Sequence, residues 1–146
     1  MSLKDLSDRG KLRQHKTSKD EIGRLFEVVK RDFRDSRIEN LSLDRRFSAA
    51  YNAVLQLATI ILYSSGYSCR GYGHHYYTFQ AVKYLLEDEF NELIDYFDDC
   101  RVKRNKTFYN QAGIASEKEV REFIEEGKKF YQITTLFLEE TRPELL

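Results

Sequence analysis

From Phe47 to Cys69 the chain carries no charged residue, although 33% of its 146 residues are Asp, Glu, Lys or Arg. An uncharged stretch of that length either crosses a membrane or is covered by the rest of the chain. A bilayer span requires about 20 predominantly apolar residues. Here Ser48, Asn52, Gln56, Thr59, Ser64 and Ser65 interrupt the run, so it reads as the buried core helix of a helical protein, with no membrane partner. The composition agrees. Hydrophobic residues make up 41%, enough for a globular core, and the length suits one domain better than two small ones. One Pro and seven Gly argue against collagen-like, linker-rich and small-turn β architectures. Lys+Arg and Asp+Glu both number 24. That balance excludes a dedicated DNA packer and a polybasic membrane binder, and leaves local contact with RNA open. No secretory segment opens the sequence, so the expected compartment is the reducing cytoplasm. Cys69 and Cys100, which lack metal-ligand spacing, are then expected as free thiols.

Along the chain, residues 1–17 carry Lys4, Arg9, Lys11, Arg13 and Lys16 against Asp5 and Asp8. They are expected to form a flexible basic N-terminal arm, either a solvated tail or an RNA contact, ahead of a single domain over 18–146. Ser18 and Glu21 have capping-box spacing. Ile22, Leu25, Phe26, Val29 and Phe33 follow at helical intervals, which predicts a helix over about 19–36. Ser42 or Asp44 starts a second over about 43–65, which Gly66 closes. A third is expected at roughly 74–87 and a fourth at about 89–110. The fifth, about 117–140, starts at the Ser116/Glu119 capping box and ends at Arg142-Pro143. No segment shows sustained strand alternation. The expectation is an all-α, five-helix, up-and-down antiparallel bundle with short connections.

Three places break the amphipathic rule. At about 100° per residue, Phe90, Leu93, Phe97 and Cys100 share one face of the fourth helix. The next occupants of that face are Arg101 and Arg104, with Asn105 at its flank, while Lys103 and Lys106 point away. An inward guanidinium needs a partner, and its planar fork suits a carboxylate or a phosphate. Two readings stand: a buried ion pair, with Asp44 as one partner, or a phosphate-binding cleft. The second helix carries Asn52, Gln56, Thr59 and Tyr63 opposite its core stripe, where a solvent face would normally hold charges. Such a face suits a second subunit or the wall of a site. His74 and His75 open the third helix; His75 lies on its apolar stripe, as a core histidine or beside a bound anion. Glu92, Asp95 and Asp99 read as a solvated acidic face. With His15 on the arm, no zinc set can be assembled, and no metal or cofactor is expected. Phosphate-loop, dinucleotide, HExxH and nucleophile-elbow signatures are all missing from the sequence.

The run Arg101-Val102-Lys103-Arg104-Asn105-Lys106-Thr107-Phe108-Tyr109 resembles the HEPN superfamily, the higher eukaryotes and prokaryotes nucleotide-binding domain. The stretch Arg46 to Ala58, with Gly66-Tyr67 and Gly73-His74-His75, is similar to one bacterial, toxin-like branch of it. The resemblance covers roughly 43–110. It implies a helical bundle that commonly forms homodimers. It also implies a metal-independent endoribonuclease of toxin–antitoxin or phage-defence type, or a silent module binding a nucleotide, an antitoxin or a nucleotidyltransferase. The family signature is an Arg and a polar residue, then a His after a spacer of four to six residues. Arg104-Asn105 matches its start. Tyr109 stands where the His is expected, and with an ordinary pKa near 10 it is a poor base but still a hydrogen-bond donor. The residues this implies are Arg104 and Tyr109 for catalysis. Arg101, Asn105, Asn52, His74 and His75 would hold the RNA or nucleotide. A plain structural helical dimer is the remaining alternative.

Overall fold

The computed structural model describes residues 1–109 and 112–146, and leaves the side chains of 107–109 undescribed. The described elements are α1 (Leu3–Asp8), β1 (Arg13–Gln14), α2 (Lys19–Asp35), α3 (Leu43–Ser64), β2 (Tyr67–Ser68), α4 (His74–Leu85), α5 (Asn91–Tyr109) and α6 (Glu117–Thr141). Short 3-10 turns lie at Asp88–Phe90 and Pro143–Leu145. The fold is all-α, with one two-residue antiparallel ribbon between β1 and β2. The five helices expected from periodicity are α2 to α6.

The helix starts follow from their caps. The Ser18 hydroxyl accepts from the Glu21 N–H at 3.1 Å. Glu21 does not complete the box: its Oε1 accepts from Thr17 and meets His15 Nε2, each at 2.7 Å. Ser42, not Asp44, caps α3 by accepting from the Arg45 N–H at 3.2 Å. Ser116 and Glu119 form both halves of a capping box at the start of α6. Each such cap is worth about 1 kcal/mol.

The uncharged helix α3 is the centre of the bundle, with α2, α4, α5 and α6 packed around it. Ala53 and Val54, Leu57 and Ala58, and Ile60 and Ile61 are all fully buried. Because neighbours in sequence point about 100° apart, burial of both members of each pair requires cover on most of the helix circumference. Every Val, Leu or Ile so buried contributes about 1.5–3 kcal/mol. Among the described residues α3 is the one helix apolar and long enough to cross a membrane, and 67% of its most apolar window is buried inside the protein. It is a core helix. Aromatic rings join the outer helices beneath it: Phe97 of α5 lies 5.7 Å from Phe123 and 5.1 Å from Phe130 of α6, centroid to centroid.

The segment expected as a flexible arm is folded. Leu6 and Leu12 are 0% and 3% exposed and pack with Leu62 of α3 and Ala81 of α4. Arg13 and Gln14 pair with Ser68 and Tyr67, and the His15 N–H donates to the Gly66 carbonyl at 2.9 Å. Two buried leucines and a ribbon too short to show alternation are enough to dock the segment, and neither leaves a periodic trace. His15 is likewise tertiary, with its ring 4.1 Å from that of Tyr63.

Gly127 of α6 sits against the Phe33 ring of α2 and Val54 of α3. A Cβ there would lie 2.8 Å from Phe33 Cε1 and 3.2 Å from Val54 Cγ2. Gly23, on the exposed side of α2, has nothing within 4 Å of the corresponding position. Gly127→Ala should therefore lower the unfolding free energy by about 1–3 kcal/mol through overpacking. Gly23→Ala should raise it by about 0.5–1 kcal/mol through helix propensity and unfolded-state entropy. Urea unfolding of the two variants checks the pair; stabilisation by both would contradict the close approach.

Candidate functional site

The loop between β2 and α4 and the C-terminal half of α5 enclose a cleft of about 640 Å³. Gly73 begins α4 with φ +76°, a left-handed conformation that favours glycine. Gly73 has no side chain to cap that first turn. The His74 N–H donates to the Gly71 carbonyl at 3.3 Å; among the described residues no hydrogen bond takes the His75 and Tyr76 N–H groups, which with the positive end of the helix dipole are left to solvent or to an anion. His74 and His75 follow at once, and the His74 ring meets the Gly71 carbonyl at 3.1 Å. From α5 come Arg101, Arg104 and Asn105, all lining the same cleft. Helical phase puts Arg101, Arg104 and Asn105 on one side of α5, and the family resemblance adds His74 and His75; the structure brings these five residues to one cleft. Lys11 reaches the cleft from the folded N-terminal segment, with its Nζ 4.8 Å from the centre of the Tyr77 ring.

The two arginines are held on aromatic faces. The Arg104 guanidinium carbon is 5.6 Å from the Tyr51 ring centre, and that of Arg101 is 5.6 Å from Tyr76. Arg101 Nε donates to Asp98 Oδ1 at 2.8 Å, and Arg104 Nη1 donates to Asn105 Oδ1 at 3.4 Å. A guanidinium has five N–H donors in one plane, so Arg101's single bond to Asp98 uses only part of its fork. Asp44 is not the partner of either. It accepts instead from the Gly113 and Ala115 N–H groups, at 2.7 and 3.0 Å, and so fixes the entry to α6. Lys103 does not point into solvent as expected; it pairs with Glu119 of α6. Lys103 is thereby a strut between two helices.

Tyr51, fully buried, hydrogen-bonds His75: its hydroxyl and the imidazole Nδ1 are 3.2 Å apart. Burial holds the Tyr51 hydroxyl pKa well above its ordinary value, with the two nearby arginines offsetting part of the rise. The His75 pKa is pushed down to about 4, first by burial and then by His74, Arg104 and Arg101. At neutral pH this imidazole is uncharged. Sequence reasoning missed Tyr51 as a site residue because a tyrosine at a core position looks like packing alone.

Asn52 is not on the wall of this cleft. It lines a second recess of about 330 Å³ with Gln56, Thr59 and Tyr63, and the recess meets the cleft at His74, His75 and Arg104. The polar stripe of α3 thus lines a recess within one chain. The Tyr109 side chain lies outside the described residues. Among the described residues no three His, Cys, Asp or Glu side chains gather as metal ligands. Glu92, Asp95 and Asp99 are exposed, with Asp95 bound to Lys83 at 2.7 Å. Cys69 and Cys100 are free thiols, and burial pushes the Cys100 pKa up to about 11, which makes it an inert core residue. Another groove, about 370 Å³ between α2 and α6, is lined by Lys30, Arg34, Arg37, Lys128 and Gln132 among others; it has charge and an amide but no histidine in its lining.

In the unfolded chain His75 takes a proton below its ordinary value of 6.5, and in the fold only near 4. Between those values the unfolded state binds the extra proton, so His75's contribution to stability is complete above pH 6.5 and is lost as pH falls toward 4. The melting temperature should fall from pH 6.5 to 5 more steeply in the wild type than in His75→Gln, which cannot titrate. Parallel curves would contradict a neutral, buried imidazole. Compared with family models, curated proteins and solved structures, the chain matches none, so the chemistry of the cleft is read from its own residues.

Proposed function

We propose that the cleft binds a phosphate of RNA or of a nucleotide, as in the HEPN superfamily that the sequence resembles. The observation that carries this is the convergence of Arg101, Arg104 and Lys11 with the uncapped start of α4 in one cleft. Cationic forks and free helix amides are the two devices proteins use for phosphate. Exposed Tyr72 at the same rim adds a ring on which a base can stack.

Cleavage is the second reading, and a specific observation favours it: a neutral imidazole, His75, lines the cleft beside Arg104. In such a reaction the 2′-hydroxyl attacks the adjacent phosphorus, the 5′-oxygen leaves, and Arg104 offsets charge developing on the phosphorane. A base with a pKa of about 4 is far from the operating pH, where general-base catalysis is most effective. Binding is accordingly the cleft's main role, and any turnover should be slow. The family resemblance also implies a cytoplasmic homodimer and an antitoxin or nucleotidyltransferase partner.

Titration of the full chain with inorganic pyrophosphate and with a short single-stranded RNA tests the proposal. Arg104→Ala should weaken both ligands at least tenfold and reduce the salt dependence of RNA binding by about one counterion. Lys128→Ala, in the α2–α6 groove, should leave pyrophosphate affinity unchanged. Melting curves of both variants separate lost binding from lost folding. Equal loss in the two variants would reduce the effect to general charge and overturn the assignment. Tyr109→Phe completes the set: unchanged RNA cleavage would remove its hydroxyl from any chemistry.

A further inference from the structure

We propose that the recess beside the phosphate cleft is a nucleobase pocket that favours a base with an exocyclic amino group, adenine, cytosine or guanine, over uracil. The inference rests on the phosphate reading of the adjoining cleft and specifies what the ligand carries next to its phosphate. Its volume of about 330 Å³ is at the lower end of the range for ligand pockets, roughly 300–1,000 Å³. It meets the phosphate cleft at His74, His75 and Arg104, so one ligand can occupy both.

The hydrogen-bond directions inside the recess are set by a buried carboxylate. Asp32 of α2 is 5% exposed. Its Oδ1 accepts from Arg31 Nε at 3.0 Å, and its Oδ2 accepts from Asn52 Nδ2 at 2.5 Å. A carboxylate only accepts, so the Asn52 amide must turn its NH₂ toward Asp32 and its oxygen away. Gln56 Nε2 then donates to that oxygen, at 3.4 Å. This fixes the Gln56 amide too: Oε1 is left as an acceptor, and Nε2 keeps a second N–H. An amide with acceptor and donor side by side holds any base edge that sets an N–H beside an acceptor, the N–H and carbonyl of uracil as well as the amino hydrogen and ring nitrogen of adenine or cytosine, so Gln56 selects a nucleobase over a bare sugar phosphate.

Two threonines make the choice among bases. The Thr59 hydroxyl donates to the Leu55 carbonyl at 2.9 Å, and the Thr78 hydroxyl donates to the His74 carbonyl at 2.7 Å. Each has one proton to give and has given it inside its own helix, so each presents only lone pairs to the recess. A wall of acceptors matches an exocyclic amine. Uracil offers one N–H between two carbonyl oxygens and would set oxygen against oxygen. Leu55 and Leu62 complete the lining with apolar surface, and Tyr63 is steadied by the His15 ring at 4.1 Å.

Calorimetric titration of the full chain with four monophosphates tests this: AMP, CMP, UMP and ribose 5-phosphate. AMP or CMP should bind roughly tenfold tighter than ribose 5-phosphate, the scale of one amide–base pair, with UMP between them. Gln56→Leu should bring all three nucleotides toward the level of ribose 5-phosphate while leaving ribose 5-phosphate itself unchanged. Thr59→Val, nearly isosteric, should remove the preference of AMP and CMP over UMP and serves if Gln56→Leu fails to fold. UMP binding as tightly as AMP and CMP in the wild type would overturn the preference for an amine. Equal binding of all four compounds would overturn the base pocket and leave the phosphate cleft standing. Absence of binding by all four would overturn both.

Discussion

An uncharged helix must be covered on nearly every side, and the covering of α3 organises this protein. The paired burial of Ala53 with Val54, Leu57 with Ala58 and Ile60 with Ile61 calls for helices on several sides. The chain supplies α2, α4, α5 and α6. The stripe of α3 that is polar but still uncharged cannot be sealed in the same way, because a buried amide or hydroxyl without a partner is costly. Part of it is tied to Asp32, part to the helix backbone, and the rest borders a recess. The recess adjoins the cleft at the start of α4 because α4 and α5, which cover α3, bring His74, His75 and Arg104 to its edge.

The same arrangement sets the electrostatics. Tyr51 belongs to the core stripe of α3, yet its ring carries Arg104 and its hydroxyl touches His75. Burial and two guanidinium groups keep the imidazole neutral. Histidine without charge beside clustered cations is a receptive environment for an anion, since an incoming phosphate offsets the repulsion that depresses the histidine pKa.

Helices α2 to α6 were legible because each is long and periodic; Ser18, Ser42 and Ser116 mark the starts of α2, α3 and α6 with side chains that do cap them. Arg101 and Arg104 were legible because helical phase put charge on a face that is apolar one turn earlier. What stayed hidden depends on contacts between distant segments. Six residues of α1 are too few to show periodicity, so Leu6 and Leu12 looked like isolated apolar residues in a basic tail, and Lys11 could not be placed at the cleft. Nothing in sequence spacing joins Asp32 to Asn52, Asp44 to Gly113, or Lys103 to Glu119. The expected role of Asp44 as an arginine partner failed for this reason: the backbone N–H groups at the entry to α6 took both of its oxygens.

The account stands on where a phosphate binds. An amide ¹H–¹⁵N correlation spectrum recorded during titration with inorganic pyrophosphate locates it directly. The account predicts the largest shifts at Gly73, His74, His75, Arg101 and Asn105, with little change at Lys30, Arg34 and Lys128. Shifts concentrated at the latter three residues, or none at the start of α4, would contradict it.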